Sequence, residues 1–220
     1  MNTAKFALLA GGTLLLTAAT GLAQSTNNWF LTGDAGAAIV QNANIRSSPF
    51  GNSGNLQLDT GFRGGFDLGY QLQPAWAVAF ESGVVWNGIN SIAGNNPNEG
   101  ASANLYQVPI LAKVIYTPLH GKFQPFVSAG VGGVASIFDL SNVSNGSSIG
   151  IFAPNFNATS WSVAYQAEIG FRYQIARSWD VGLKYAFLGT TDQNWSDHGV
   201  VFDTAAIYTH AIEASLTWHF

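Results

Sequence analysis

The chain has 220 residues, no Cys and a formal net charge of −4, which is long enough for one domain with a full core. Charged residues make up 9% and aromatics 13%, whereas an ordinary soluble domain carries ~25% charged residues. These values exclude disulfides and thiolate metal sites, and leave too few charges for a normal water-facing skin.

The first segment reads "MNTAKFALLAGGTLLLTAATGLAQ". Lys5 supplies a positive start, Phe6 to Thr20 an apolar stretch, and Gly21-Leu22-Ala23 a small-x-small cleavage site. The pattern predicts a secretory signal peptide over residues 1–23, cut after Ala23, with an N-terminal anchor as the alternative. The mature chain, 24–220, then carries seven Lys/Arg and a net charge of −5, because Lys5 is lost. So few cations argue against nucleic-acid binding. No twenty-residue apolar run follows, so no helix of the mature chain spans a bilayer.

Period-two segments come next, and the alternation predicts eight strands. They run roughly over 29–40, 59–70, 76–87, 104–116, 123–137, 160–174, 179–188 and 205–220. "TGFRGGFDLGYQLQPAW", from Thr60 to Trp76, is typical. Phe62, Phe66, Leu68 and Tyr70 share one face, Arg63, Asp67 and glycines the other. Three connections are short: Gln71–Ala75, Thr117–Lys122 and Ile175–Ser178. Four are long and rich in Asn, Ser and Gly, and are expected to be exposed, mobile loops: Gln41–Leu58, Gly88–Ala103, Phe138–Thr159 and Gly189–Thr204.

Two barrels share this alternation. A soluble lipocalin-type barrel turns its apolar face inward; a transmembrane barrel turns it to lipid. The polar face decides first. It is dominated by small residues such as Gly65, Gly69, Ala79, Gly130, Gly170 and Gly182. They suit the cramped interior of an eight-stranded barrel, whereas a water-facing surface favours Thr, Lys and Glu.

The aromatics decide next. Trp29, Tyr70, Trp76, Tyr116, Phe123, Tyr173, Trp179, Trp218 and Phe220 flank the short turns or the chain ends. Trp86, Tyr106, Trp161, Phe187 and Tyr208 lie toward the long loops, and all fourteen have apolar-face parity. Trp76 to Trp86, Tyr106 to Tyr116 and Tyr208 to Trp218 each span ten residues. At ~3.3 Å per residue and a tilt of ~40°, ten residues rise ~25 Å, the apolar height of an outer-membrane barrel between its two aromatic girdles. The expected fold is therefore all-β: a closed eight-stranded antiparallel up-and-down transmembrane barrel. Backbone groups in hydrocarbon must all be paired, so the last strand must pair with the first. An even count puts both termini on the short-turn side, the periplasmic one.

Several stretches carry a family resemblance: "WFLTGDAGAA", "YQVPILAKVIYTP", "FQPFVSAGVGG" and the terminal "TWHF". Over Trp29 to Phe220 the chain resembles the small eight-stranded outer-membrane barrels of bacteria: the OmpA transmembrane domain, OmpX and the opacity-type surface proteins. Leu216, Trp218 and Phe220 resemble the C-terminal signal read by the barrel-assembly machinery. The resemblance implies outer-membrane lipids, lipopolysaccharide and that machinery as partners, and an envelope-structural or surface-adhesion role. An extracellular surface or host ligand would meet the loops.

Inward parity collects Asp34, Arg63, Asp67, Glu81, Lys113, Glu168, Arg172, Asp180, Lys184 and Glu213. The bland reading is a salt-bridged plug, because an unpaired charge there would be costly. Asp67, Glu81 and Lys113 are expected at one height, with Lys184, Glu213 and Asp34 closing the ring. Arg172 and Asp180 are expected to face each other across the third short turn. The alternatives are a low-conductance porin-like channel and a lipid-modifying enzyme. For the enzyme, His210 is the one tempting position, outward near the upper girdle, with no Ser or acid placed beside it. No catalytic residue, metal site or cofactor is predicted.

Overall fold

The computed structural model describes residues 28–41, 43–47, 54–92, 102–119, 121–141, 155–197 and 200–220. The expected signal peptide over 1–23 lies outside them. Among the described residues twelve strands form: β1 (Trp29–Val40), β2 (Ala43–Ser47), β3 (Gly54–Leu58), β4 (Gly61–Gln73), β5 (Trp76–Ile92), β6 (Ser102–Tyr116), β7 (Phe123–Ser141), β8 (Asn155–Ala176), β9 (Trp179–Thr190), β10 (Gln193–Asp197), β11 (Val200–Thr204) and β12 (Tyr208–His219).

Eight of them close a barrel. Antiparallel ladders run β1–β4–β5–β6–β7–β8–β9–β12. Then β12 returns to β1 over eleven registered pairs, from Phe30↔His219 to Val40↔Thr209. Closure leaves no open edge, the condition for backbone in hydrocarbon. Side chains alternate as the sequence demands: in β9, Trp179, Val181, Leu183 and Tyr185 are exposed while Asp180, Lys184 and Ala186 are buried.

The aromatic rungs sit at both edges of this apolar wall. At the lower edge the register pairs Trp29 with Tyr70, Trp76 with Tyr116, Phe123 with Tyr173 and Trp179 with Trp218. Their rings touch: Trp29–Tyr70 at 5.1 Å, Trp76–Tyr116 at 4.7 Å and Trp218–Phe220 at 4.6 Å between centroids. At the upper edge Trp86 pairs with Tyr106, and Phe187 stacks on Tyr208 at 5.9 Å. Trp161 is the most exposed aromatic among the described residues, 69%.

The expectation of four mobile loops needs correction where those connections are described; their residues 42, 48–53, 93–101, 142–154 and 198–199 lie outside the described residues. β7 and β8 are 19 and 22 residues long. At ~3.3 Å per residue and a tilt of ~40°, β8 rises ~55 Å, about twice the apolar band. The first long connection contains the β2–β3 hairpin and the fourth the β10–β11 hairpin. β3 pairs with the upper end of β5, and β2 pairs with β11. β10 lies along β8, where Ser160 Oγ accepts from Asn194 N at 3.1 Å and Asp197 accepts from Asn157 N at 2.8 Å. The wall thus continues outward as a strand-built collar.

One ladder is interrupted within the apolar wall. Between β5 and β6 the register holds at Ser82↔Ile110 and again at Val85↔Gln107, with no pairs between. Pro109 stands in that gap. It has no N–H to give. The Ser82 hydroxyl donates to the Pro109 carbonyl at 3.0 Å, which satisfies an oxygen that lipid could not.

Candidate functional site

The interior is stacked in layers. Nearest the short-turn end lie Phe30, Ala77, Ala79, Ile115 and Phe126, an apolar floor. Above it comes a charged layer. A second apolar layer follows: Ala38, Val85, Leu111, Val134, Ala164, Ala186, Leu188 and Ala211. A polar band succeeds it, with Thr209 donating to Gln107 at 3.1 Å and Asn87 donating to the Ala38 and Asp59 carbonyls. The collar closes over all of this with an apolar cap of Val40, Ala43, Leu56, Ile89, Ala103, Leu105, Phe138, Leu140, Ala158, Trp195 and Ile207.

All ten inward charges are buried, none above 9% exposed. Lys113 Nζ sits 2.9 Å from Asp67, 2.7 Å from Glu81 and 2.9 Å from Glu168. Lys184 Nζ reaches Asp34 at 3.2 Å, Glu168 at 2.9 Å and Glu213 at 3.2 Å. Arg63 joins Glu81 at 2.5 Å and Glu213 at 2.9 Å. Glu168 is the hinge of the cluster, since it binds both lysines and accepts from Ser128 at 2.5 Å. Gln166 links the halves: it accepts from Arg63 and donates to Glu81 and Glu168. Arg63 and Glu168 therefore belong to the same ring as the six residues whose heights the residue count aligned.

Glycines make room for these cations. The register places Gly130 opposite Lys113, Gly182 opposite Arg172 and Gly170 opposite Lys184. A Cβ on Gly130 would lie 2.8 Å from the Lys113 stem, and one on Gly170 2.8 Å from that of Lys184.

The expected Arg172–Asp180 pair does not form. The β8–β9 register sets Gly182 across from Arg172, and Gln174 across from Asp180, so the two charges are offset by one inward step. Asp180 bonds His219 Nε2 at 2.8 Å instead. Arg172 donates to Thr117 Oγ1 at 3.2 Å and lies over the Phe126 ring at 5.3 Å. His219 has inward parity beside the terminus, so its position was legible but its partner Asp180 was not; Phe126 and Thr117 carry no charge that would have marked them.

On the outer wall His210 has both ring nitrogens engaged. Nδ1 meets the Tyr185 hydroxyl at 2.6 Å and Nε2 meets Gln41 Nε2 at 2.7 Å, while Phe187 packs at 5.3 Å. Ser82 is committed to Pro109. No carboxylate bonds His210 among the described residues, and none of their His, Asp and Glu group into a metal site.

The family model for the outer membrane protein beta-barrel domain matches residues 8–220. The chain belongs to the outer membrane protein β-barrel family. Its place is the bacterial outer membrane. No curated protein matches it in sequence. Among solved structures, this outer-membrane barrel is similar to Neisserial surface protein A: 15% identity, TM-score 0.54, 90% of this chain and 100% of that one covered. It is similar also to OprG from Pseudomonas aeruginosa, at 16% identity and TM-score 0.53, covering 89% and 99%. A third is the outer membrane protease OmpT from Escherichia coli, at 10% identity and TM-score 0.50, covering 91% and 99%. Such identities establish a shared fold alone. One of the three being a protease, the fold does not choose between structural and catalytic roles.

Proposed function

We propose that this barrel is a non-enzymatic, plugged element of the outer membrane whose work is done by its outer surfaces. The interior layering supports this reading. A charged ring lies between two apolar layers, beneath an apolar cap in which Trp195, Leu140 and Ile207 are fully buried. Eight strands leave no lumen once side chains fill it. An ion would have to cross three apolar layers, and no swing of one side chain clears them.

The collar is then the part that meets the outside. It is stiffened by the β2–β3 and β10–β11 hairpins, and carries Asp59, Asp139, Asp192 and Asp203. Its role is contact with a surface or ligand, with a contribution to envelope integrity from the barrel itself. The terminal Leu216, Trp218 and Phe220 serve as the assembly signal. Lipopolysaccharide surrounds the upper girdle.

Planar-bilayer recording tests the plug, and is expected to show no stable porin-sized steps; regular large steps would overturn it. Excision of the β10–β11 hairpin tests the surface role. Cells carrying the shortened barrel should lose attachment while the barrel still inserts. Unchanged attachment and envelope sensitivity would reject the proposal. The enzymatic alternative is checked by mass spectrometry of lipid A with and without His210→Ala, where identical spectra are expected.

A further inference from the structure

The periplasmic rim carries a cavity that the plugged interior does not explain. Lys122 and Arg177, from two different turns, line it together with Gln174, Ile175 and Ala176; its volume is about 330 Å³. The two turns are joined by Gln174 N donating to the Lys122 carbonyl at 2.8 Å. A second bond, Gln124 Nε2 to the Gly121 carbonyl at 2.9 Å, holds the Lys122 turn. The backbone of the Lys122 turn is thus tied to the end of β8, three residues before Arg177.

Their isolation is informative. Seven Lys/Arg follow the leader. Four of them, Arg63, Lys113, Arg172 and Lys184, are buried inside the barrel. Among the described side chains Lys122 and Arg177 are the only exposed cations, and they share one cavity. Neither forms an ion pair with a described residue. Asp180, the acid closest in sequence to Arg177, is buried and bound to His219.

Height fixes what they meet. Lys122 immediately precedes Phe123, and Arg177 stands two residues before Trp179, both in the lower girdle. Phe123 is 53% exposed and Ile175 57%, so apolar side chains continue from the cavity along the lipid-facing wall. Cations at the headgroup level above an acyl-facing surface match an amphiphile with an anionic head. A soluble anion would use only the charged half.

We propose that Lys122 and Arg177 bind the headgroup of an anionic phospholipid of the periplasmic leaflet, with its acyl chains laid over Ile175 and Phe123. Gln174 supplies an amide beside the phosphate. The site goes beyond the surface role of the collar, since it lies at the opposite end of the barrel and stands or falls separately.

The test is native mass spectrometry of the full-length mature barrel released from detergent micelles. Phosphatidylglycerol and phosphatidylethanolamine with identical acyl chains are offered in turn. Wild type should retain phosphatidylglycerol preferentially. A basic residue near an anionic headgroup is worth roughly a five-fold change in binding. Lys122→Gln and Arg177→Gln should each lower the preference by about that factor, and the double variant should reduce it to the phosphatidylethanolamine level. Heat-modifiable gel migration checks that the variants are folded. Should the double variant misfold, added salt provides the second measurement, because exposed charges are screened within ~10 Å at 0.1 M, and the wild-type preference should fall. Equal retention of the two lipids by wild type would overturn the proposal. So would a preference that survives the double substitution or high salt. Inorganic phosphate that competes as well as the lipid would make the site a phosphate site. Soluble peptidoglycan fragments whose binding depends on both cations, with no lipid preference, would assign it to the cell wall.

Discussion

At the scale of single residues, Lys113 shows how an ionised group survives inside a membrane protein. It is 2% exposed, and its three nearest acids come from β4, β5 and β8. Desolvation of such a group is offset only when every donor finds a partner. Removing it leaves Asp67, Glu81 and Glu168 buried around a vacant centre. Lys113→Ala is therefore expected to destabilise the barrel by about 3–5 kcal/mol, read as a lower urea midpoint for the protein refolded in lipid vesicles. Lys122→Ala should leave the midpoint near wild type, because that side chain is exposed and holds no structural partner. Equal midpoints for the two variants would reject the assignment of Lys113 to a load-carrying cluster. That inward parity could be read from the sequence at all follows from strand geometry. A period of two assigns a face without knowledge of neighbours. Which charges touch could not be read in the same way. Contacts depend on shear around the barrel, so Arg172 and Asp180 are near in sequence and still miss each other by one inward step.

At the scale of elements, the strands were legible wherever two different solvents pressed on the two faces. β1 and the start of β5 begin and end where the alternation does, and Trp76 to Trp86 measures the membrane without any structure. The alternation persists beyond the upper girdle in Asn87-Ile89, Ala103-Leu105 and Phe138-Leu140. Its meaning was hidden there by the Asn, Ser and Gly of the intervening residues, which read as loop. Inward apolar positions past the membrane were the available signal for a collar. Two local devices within the wall invite measurement. Gly170 faces Lys184, and a Cβ there would lie 2.6 Å from the Leu183 carbonyl oxygen and 2.9 Å from Lys184 Cα. Backbone cannot yield as a side-chain tip can, so Gly170→Ala should reduce the folded fraction on heat-modifiable gels, whereas Gly33→Ala, with nothing within 4 Å, should not. Ser82→Ala would leave the Pro109 carbonyl without a donor in hydrocarbon. An unsatisfied buried acceptor costs about 1–3 kcal/mol, so a lowered urea midpoint is expected. Ser82→Thr, which keeps the hydroxyl, should recover most of it.

For the whole molecule, the layering divides the barrel into two parts with different reasons to be stable. The membrane part is held by closure of the ladder and by the charged ring; the collar is held by an apolar cluster that never touches lipid. Trp195 is the largest fully buried side chain of that cluster and packs edge-on against Phe138 at 5.8 Å between ring centroids. It sits on β10, which has a ladder partner only in β11 and meets β8 through side-chain-to-backbone bonds. Trp195→Ala removes the main apolar contact beneath this hairpin, which the β2–β11 pairing and the bonds to β8 also hold, and a core Trp→Ala typically costs about 3–5 kcal/mol. That loss falls on the collar. The closed ladder from β1 through β12 does not run through β10, nor do the ion pairs of Arg63, Lys113 and Lys184. Limited proteolysis of the Trp195→Ala protein in vesicles should therefore cut within the outer part of the chain while a protected membrane fragment remains. Conductance should stay absent, since the charged ring and the apolar layer above it still fill the bore. Global unfolding at the same midpoint as loss of the collar would show that the two parts fold as one unit. Opening of stable pores would show that the cap, rather than the layers beneath it, closes the barrel.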